Sequence, residues 1–517
     1  MFRAGGRAGA SPSSILSSSL CPLGSHQVPN AYAFAVSTET AKVTGLGASR
    51  SAAKPLFHMY AEDTIAAIAT PPGHGGIGII RMSGSLSSTV AMRLFTPTLP
   101  TAEWVSHRLY HGHVRDEDGS VLDEGLAVLM RRPHSYTGED VLELHCHGSP
   151  VVLQRALAHV LRRGARLAEP GEFTRRAFLN GRMDLAQAEA VLDIVRARTA
   201  SGAAIAARQL TGQLSGHLTA IRAQLVELKA LLEAQIDFVE DDVEVPPEQA
   251  SSFIELCITD LQCLIETFLH GSLLRDGLRV AIVGKPNVGK SSLLNALLGE
   301  ERAIVTAIAG TTRDAIEEVA DFDGIPVVLT DTAGLRDTNQ AEEIERLGMK
   351  RTAAKMAAAQ LLLTVVDASS PLDDEDRAVL QAAPSLPRII VLNKIDLPRR
   401  VADAEVNDIV HSQPVVAISA MTHAGLPVLR RAVVALVGAG KSIDPNVPML
   451  TNVRHRDALE KTRASLVMAR DSVAAARPAD LIAVDVQDAI DYLAEVAGTI
   501  TNEEVLDRIF SQFCIGK

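Results

Sequence analysis

A chain of 517 residues, 47% hydrophobic and 22% charged, has room for two or three domains that each bury a core, and it contains no apolar run long enough to span a bilayer. Its 50 basic against 62 acidic residues leave a net charge of −12, which argues against a surface coated for nucleic acid, so any contact with a polyanion has to be local. Five cysteines without regular spacing supply no disulfide framework and suit a reducing compartment.

Residues 1–58 are rich in Ser, Ala and Gly, with Glu39 their only acid. That composition suits an organellar transit peptide, but the basic residues are sparse, and Pro and Gly interrupt any amphipathic helix. A disordered extension, or an upstream start ahead of Met59, is the preferred reading, and a targeting peptide stays open beside it. Over 59–178, short apolar runs such as "GIGIIRMSG" and "DVLELHCHG" alternate with helical stretches such as "VVLQRALAHVLRRG", which predicts an N-terminal α/β domain with several short strands. Residues 179–275 carry nearly continuous helical periodicity, as in "HLTAIRAQLVELKALLEAQIDF", and the same period returns over 438–517. Between them, 276–437 alternate strand-like and helix-like segments. Helices cut off from partners bury little apolar face, so the pattern predicts one discontinuous helical domain interrupted by an inserted α/β domain. The fold class is α/β plus all-α, multidomain.

The inserted segment carries the strongest motif. "LRVAIVGKPNVGKSSLLNALLG" reads as a strand, then Gly284-x-x-x-x-Gly289-Lys290-Ser291, then an amphipathic helix, the context a P-loop requires. Backbone N–H groups and the helix N-terminus can cradle phosphates, Lys290 can set its charge on the β- and γ-phosphates, and the Ser291 hydroxyl can ligate Mg²⁺. "IPVVLTDTAG" closes a strand with Asp331-x-x-Gly334, whose carboxylate can hold the Mg²⁺ shell through water. "RIIVLNKID" ends in Asn393-Lys394-x-Asp396 and "PVVAISA" in Ser419-Ala420. Asp396 can accept from N1–H and N2–H₂ of guanine, a donor pair adenine lacks, so the set specifies GTP. The spacings resemble those of a translation-factor-type, Ras-like GTPase domain, in which Thr312 of "IVTAIAGTTRD" matches the switch threonine that completes Mg²⁺ coordination. Leu335 follows the Asp331 motif and cannot orient an attacking water, so hydrolysis needs another group.

With "ATPPGHGGIGIIRMSG", "TGEDVLELHCHG", "PGEFTRRAFLNGRMDLAQAEAV", "DTAGLR" and the terminal "FCIGK", the chain from about Asp63 to Lys517 resembles the tRNA modification GTPase family MnmE, also called TrmE. The resemblance implies an N-terminal folate-binding domain that dimerises, a helical domain, and a GTPase domain inserted in it. It implies a homodimer working with the flavoprotein MnmG, as a heterotetramer, to add an aminomethyl-type group at C5 of the wobble uridine of certain tRNAs. The one-carbon unit comes from a tetrahydrofolate derivative of the 5-formyl or 5,10-methylene type. It also implies paired GTPase domains closing face to face, with K⁺ in the place of an arginine finger. A regulatory or assembly GTPase without modification chemistry is the competing class. The implied location is cytoplasmic, or the mitochondrial matrix if residues 1–58 are a transit peptide.

Carried over by motif, GTP contacts fall on Asn287, Val288, Gly289, Lys290, Ser291 and Ser292, and on Thr306, Ala307, Ile308, Ala309, Gly310, Thr311 and Thr312. They continue on Asp331, Thr332, Ala333 and Gly334, then Asn393, Lys394, Ile395 and Asp396, then Ser419, Ala420 and Met421. K⁺ would take oxygens of Asn287, Thr306, Ile308 and Thr311, and Mg²⁺ those of Ser291 and Thr312. The water-orienting acid matches Glu345, with Glu342 and Glu343 adjacent and an apparent insertion before them. Folate contacts match Arg81, Glu143, Arg182, where the family usually has lysine, and Lys517.

Three further signals are weaker. In "HCHG", His145 and His147 share one strand face and Cys146 the other, so the three do not converge on a metal. "RRGAR" at 162–166 offers a phosphate contact but reads better as solvated surface. Cys514-Ile515-Gly516-Lys517 has a cysteine at the prenylation position, but Gly516 is not aliphatic, Lys517 is not a usual last residue, and no polybasic segment adjoins, so no lipid anchor is expected. Cys514 is instead the candidate catalytic participant in modification, beside the folate contact Lys517.

Overall fold

The alternation in "DVLELHCHG" sends Leu142, Leu144 and Cys146 to one side of a strand and Glu143, His145 and His147 to the other. Strand β6 (Val141–Gly148) forms there with the first set buried, and burial pushes the Cys146 thiol up to about 12. The computed structural model describes residues 63–237, 245–300, 318–331, 359–381, 386–410, 413–438, 447–500 and 502–517, so residues 1–58 and both readings of them lie outside it. Around β6 stand β1 (Ile65–Ile68), β2 (Gly75–Ser83), β3 (Phe95–Pro97), β4 (Leu109–Arg115), β5 (Val121–Met130) and β7 (Arg166–Leu167). They form a sheet in the order β3-β4-β5-β6-β2-β1-β7, antiparallel except for the parallel pair β1–β7. Helices Ser87–Leu94 and Pro150–Arg162 bury Leu94, Leu153 and Val160 against the Leu142 face. Glu143 and Arg81 are left as cross-strand partners on the opposite face, beside Phe173 of helix Glu172–Leu179.

A helical bundle follows. Helices Leu185–Arg196, Ala200–Leu210, Gln213–Asp237, Pro247–Glu266 and Phe268–Asp276 precede the second sheet, and Val453–Ala474, Ala479–Ala497 and Glu503–Phe510 come after it. In the longest, Leu214, Leu218, Ile221, Leu225, Leu228 and Leu232 are buried at alternating spacings of four and three, one stripe of a helix. They share a core with Ile254 and Leu261 from before the second sheet and with Leu459, Leu466, Val486 and Ile490 from after it. Asp184 and Gln187 close the start of Leu185–Arg196 as a capping box.

The two halves are also joined by charge. Glu189 accepts from Arg454 Nε and Nη2 at 3.0 and 2.9 Å and pairs with His455 Nε2 at 2.6 Å, across 265 or more residues of sequence. Arg454 Nη1 also donates to the Glu495 carbonyl at 2.7 Å, fixing the third helix of the group. Burial by itself would raise the Glu189 carboxyl, but the charges and hydrogen bonds of His455 and Arg454 outweigh it and hold the group at about 2.

The second sheet comprises β8 (Leu278–Val283), β9 (Glu318–Phe322), β10 (Ile325–Asp331), β11 (Leu361–Asp367), β12 (Arg388–Asn393) and β13 (Val415–Ala417), in the order β13-β12-β11-β8-β10-β9. All pairs are parallel except β9–β10. β12 is apolar on both sides because both are covered: Ile389 and Val391 pack with Leu426 and Val433, and Ile390 and Leu392 with Val406 and Val410. The sheet meets the bundle at the β9–β10 turn, where Thr199 Oγ1 donates to the Gly324 carbonyl at 2.8 Å.

The Glu189 pairing gives a test. Its carboxyl titrates near 4.5 in the unfolded chain and about 2 in the fold, so the stability it contributes is fully present above pH 4.5 and is lost as pH falls toward 2. Glu189→Gln should lower unfolding free energy by about 3–5 kcal/mol at pH 7, since it leaves Arg454 and His455 without their buried partner. Denaturant melts at pH 7 and pH 3 should show the gap between variant and wild type narrowing in acid.

Candidate functional site

β8 ends at Val283, and the chain turns through Gly284, Asn287 (φ 64°) and Gly289 (φ 97°) into helix Lys290–Glu300. A Cβ on Gly289 would lie 2.3 Å from Asn393 Nδ2, so close approach as well as backbone conformation demands glycine there. Lys290 is buried, and its Nζ donates to the Gly284 and Lys285 carbonyls at 2.9 and 2.8 Å, which holds the ammonium across the loop it closes. Val288 is buried beneath, while Asn287, Ser291 and Ser292 are exposed. Loop and helix start thus supply a cation, backbone N–H groups and hydroxyls together, the set that binds a polyphosphate.

Asn393 ties this loop to the loop that carries Ala420. Its Nδ2 donates to the Val288 carbonyl at 2.9 Å, and its Oδ1 accepts from Ala420 N–H at 3.0 Å. Lys394 Nζ donates to the Asn287 carbonyl at 3.0 Å and to Asp367 Oδ2 at 2.6 Å. Burial pushes the Asp367 carboxyl up, but the bonds from Lys394 and Ser369 outweigh it and hold the group below its ordinary value. Ser419 Oγ donates to Asp396 Oδ1 at 2.6 Å, which orients an exposed carboxylate that can accept from guanine. Ile395 and Met421 are exposed. Asp331 closes β10 in register with Ile282 of β8, next to the phosphate loop.

Thr306, Ala307, Ile308, Ala309, Gly310, Thr311 and Thr312, then Thr332, Ala333, Gly334 and Leu335, and Glu342, Glu343 and Glu345, lie outside the described residues. Two residues of this region were not picked out by motif. Lys285 occupies a variable position of the loop pattern, yet its Nζ reaches Asp373 and Asp376 at 2.6 and 2.7 Å. The Lys285 bond holds Asp373 well below the usual carboxylate range. Asp367 was legible in principle as the polar stop of the apolar run "LLLTVVD".

A second constellation lies on the first sheet. Arg81 Nε donates to Glu143 Oε1 at 2.9 Å, and its guanidinium stands 5.3 Å from the Tyr136 ring centroid and 5.8 Å from that of Phe173. His145 pairs with the other Glu143 oxygen at 3.3 Å; that hydrogen bond, then the Arg81 charge, outweigh burial and lower the Glu143 carboxyl. Arg81 Nη1 donates to the Gly516 carbonyl at 3.3 Å, so the last residues of the chain end here. Gly516 has φ 97°, and a Cβ there would lie 2.7 Å from the Ile68 carbonyl oxygen. Phe510 and Phe513 anchor the segment by packing on Leu185 and Leu192. The Cys514 thiol is exposed while its carbonyl accepts from Gly171 and Lys517 N–H groups. Burial, then the Arg81 charge, push the Lys517 ammonium down against a smaller opposing effect of Cys514.

Arg81 and Glu143 therefore meet the last residues of the chain, which bear Cys514 and Lys517. Arg182 is exposed and donates from Nε to the Ser135 carbonyl at 3.0 Å, on the loop that bears Tyr136. The sequence reading missed Tyr136 and Phe173, two of a sparse set of aromatics. The "RRGAR" arginines are largely occupied: Arg162 pairs with Glu117, and Arg166 bridges Asp63 and Glu172.

Residues 64–182 match the family described as the GTP-binding protein TrmE N-terminus, and residues 185–514 match the MnmE helical domain. A tRNA modification GTPase MnmE of Moorella thermoacetica is 49% identical over 467 residues, covering 88% of this chain and all of that one. Proteins of the same description from Geotalea uraniireducens and Chloroflexus aurantiacus are 44% and 47% identical, covering 89% and 88% of this chain and the whole of each relative.

Because Asn393 holds two backbone groups of different loops, Asn393→Ala should weaken GDP binding by about 10- to 100-fold, the cost of leaving the Val288 carbonyl and Ala420 N–H unpaired. Titration with a fluorescent guanine nucleotide reads this directly, and unchanged affinity would remove Asn393 from the site.

Proposed function

Because the chain belongs to the MnmE family of tRNA modification GTPases, we propose that it hydrolyses GTP with K⁺ activation and acts with the flavoprotein MnmG on tRNA. GTP hydrolysis and a role in tRNA modification come with the family itself. The finer reading is the installation of an aminomethyl-type, carboxymethylaminomethyl-like group at C5 of the wobble uridine, by a homodimer in the cytoplasm, or in the mitochondrial matrix if residues 1–58 are cleaved as a transit peptide.

The observation that carries the finer reading is the Arg81 bond to Gly516, which joins an exposed thiol and two cations to a carboxylate remote from the phosphate loop in sequence. A switch that only recruits partners has no use for such a second site. Its chemistry fits a folate: Arg81, Arg182 and Lys517 can hold carboxylates, and the lowered Glu143 can accept from pterin N–H groups. When bound, the tetrahydrofolate derivative supplies the one-carbon unit. Cys514 is the residue proposed to take part in the modification. Residues 59–178 are then the folate-binding and dimerisation domain, 276–437 the GTPase domain, and 179–275 with 438–517 the helical domain.

At the GTP site, Lys290 neutralises phosphate charge, and Ser291 with Thr312 would hold Mg²⁺. Asn287 is exposed and in a left-handed conformation, and its amide oxygen, with oxygens of Thr306, Ile308 and Thr311, would serve a large monovalent ion. A cation there offsets charge developing on the leaving oxygen, and Glu345 would orient the water in place of Leu335.

Exchanging Na⁺ for K⁺ at constant ionic strength should accelerate GTP hydrolysis by about tenfold or more, the scale of one preorganised charge. Equal rates in the two salts would remove the K⁺ assignment. Cys514→Ser should retain K⁺-dependent hydrolysis and abolish modification, read by mass spectrometry of wobble uridine in tRNA from cells carrying only the variant. Retained modification would reduce Cys514 to packing, and normal uridine modification in cells lacking the protein altogether would sink the function.

A further inference from the structure

At the end of β8 remote from the phosphate loop, where the second sheet meets the helical bundle, lies a cavity of about 590 Å³ lined by Arg196, Arg198, Arg275 and Arg279 together with Asp193 and Asp276. Among the described residues the lining carries four arginines and two carboxylates, a local excess of basic residues in a chain of net charge −12. Part of this charge has a structural reason. Arg275 donates from Nε to Asp193 at 2.8 Å, and Arg196 and Arg275 stand in the last turns of their helices, where a cation offsets the dipole. Arg196 also gives one N–H to the Gln512 carbonyl at 2.7 Å.

Those reasons do not reach Arg279. It lies on a strand with its residue exposed, and its side chain makes no hydrogen bond or ion pair among the described residues. Arg198 lies outside any helix as well, just before the Thr199 cap of Ala200–Leu210, whose first turn faces the cavity with Gly202. The size falls within the range of small-ligand sites. Four arginines lining one cavity, one of them without a side-chain partner among the described residues, beside a helix N-terminus, suit a multiply charged oxyanion such as phosphate better than a neutral ligand.

We propose that this cavity is a phosphate-binding site, filled either by a free phosphate or pyrophosphate-class anion or by a backbone phosphate of the tRNA. The second source rests on the function proposed above; the first does not. Arg279 belongs to the sheet and Arg196 and Arg198 to the bundle, so a phosphate between them clamps the two across the junction that the Thr199–Gly324 bond already marks.

The test uses the full chain saturated with GDP and Mg²⁺, so that the phosphate loop is filled, and compares wild type with Arg279→Glu and Arg279→Lys. Pyrophosphate binding is followed by calorimetry, and tRNA binding by filter retention across a salt series. For a free anion, Arg279→Glu should weaken pyrophosphate at least tenfold, with Arg279→Lys between it and wild type. For a backbone phosphate, tRNA affinity should fall uniformly across tRNA sequences, and the salt slope should shrink by about one. A change confined to one arm supports the proposal and identifies the source. Wild-type binding in neither arm, or variants that leave unchanged whatever binding the wild type shows, overturns it. Normal wobble-uridine modification in cells lacking the protein would overturn the function and leave the pyrophosphate arm standing.

Discussion

One buried carboxylate joins the two parts of an interrupted bundle. Glu189 lies before the second sheet in sequence and Arg454 and His455 after it, and their pairing requires the chain to leave the bundle, build a whole sheet and return in register. The apolar core shared by the two halves favours this return but does not fix it, because apolar contact is non-directional. A bidentate guanidinium does fix it, since each N–H must find its own oxygen. The same geometry limits how the inserted sheet can be attached, with its entry and exit delivered to one end of the bundle.

Asn393 plays a comparable part inside the sheet, at smaller scale. A single amide uses its donor on the phosphate loop and its acceptor on the Ala420 loop. The two loops proposed to take the phosphate and the base are thereby tied together before any ligand arrives. Such preorganisation lowers the ordering cost of binding, since neither loop has to be immobilised by the ligand.

Local pattern was enough to read the strands and helices. Alternation in "DVLELHCHG" gives the two faces of β6, and the continuous apolar run of β12 gives a strand covered on both sides. The phosphate loop was legible because it is contiguous, with strand, loop and helix following one another within a short stretch. What pattern could not supply were meetings between distant segments. Arg81 and Gly516 are 435 residues apart, and nothing in either neighbourhood encodes the other. Tyr136 and Phe173 were missed for the same reason: each reads as ordinary core until Arg81 is seen between them. The arginines of the junction cavity come from a helix end, a loop, a second helix end and a strand, so no motif could collect them.

The Thr199 bond to Gly324 has one further consequence. The turn it grips joins β9 to β10, and β10 ends at Asp331 beside the phosphate loop, so one hydrogen-bonded strand runs from the bundle to that loop. Linkage through such a strut is reciprocal. If guanine nucleotides differ in how they favour one setting of this strand, then strain applied to the bundle from outside must change their relative affinities by the same factor. Under that condition the bundle is a gauge as well as a scaffold, reporting the nucleotide outward and letting a load carried elsewhere on the molecule weigh on the nucleotide.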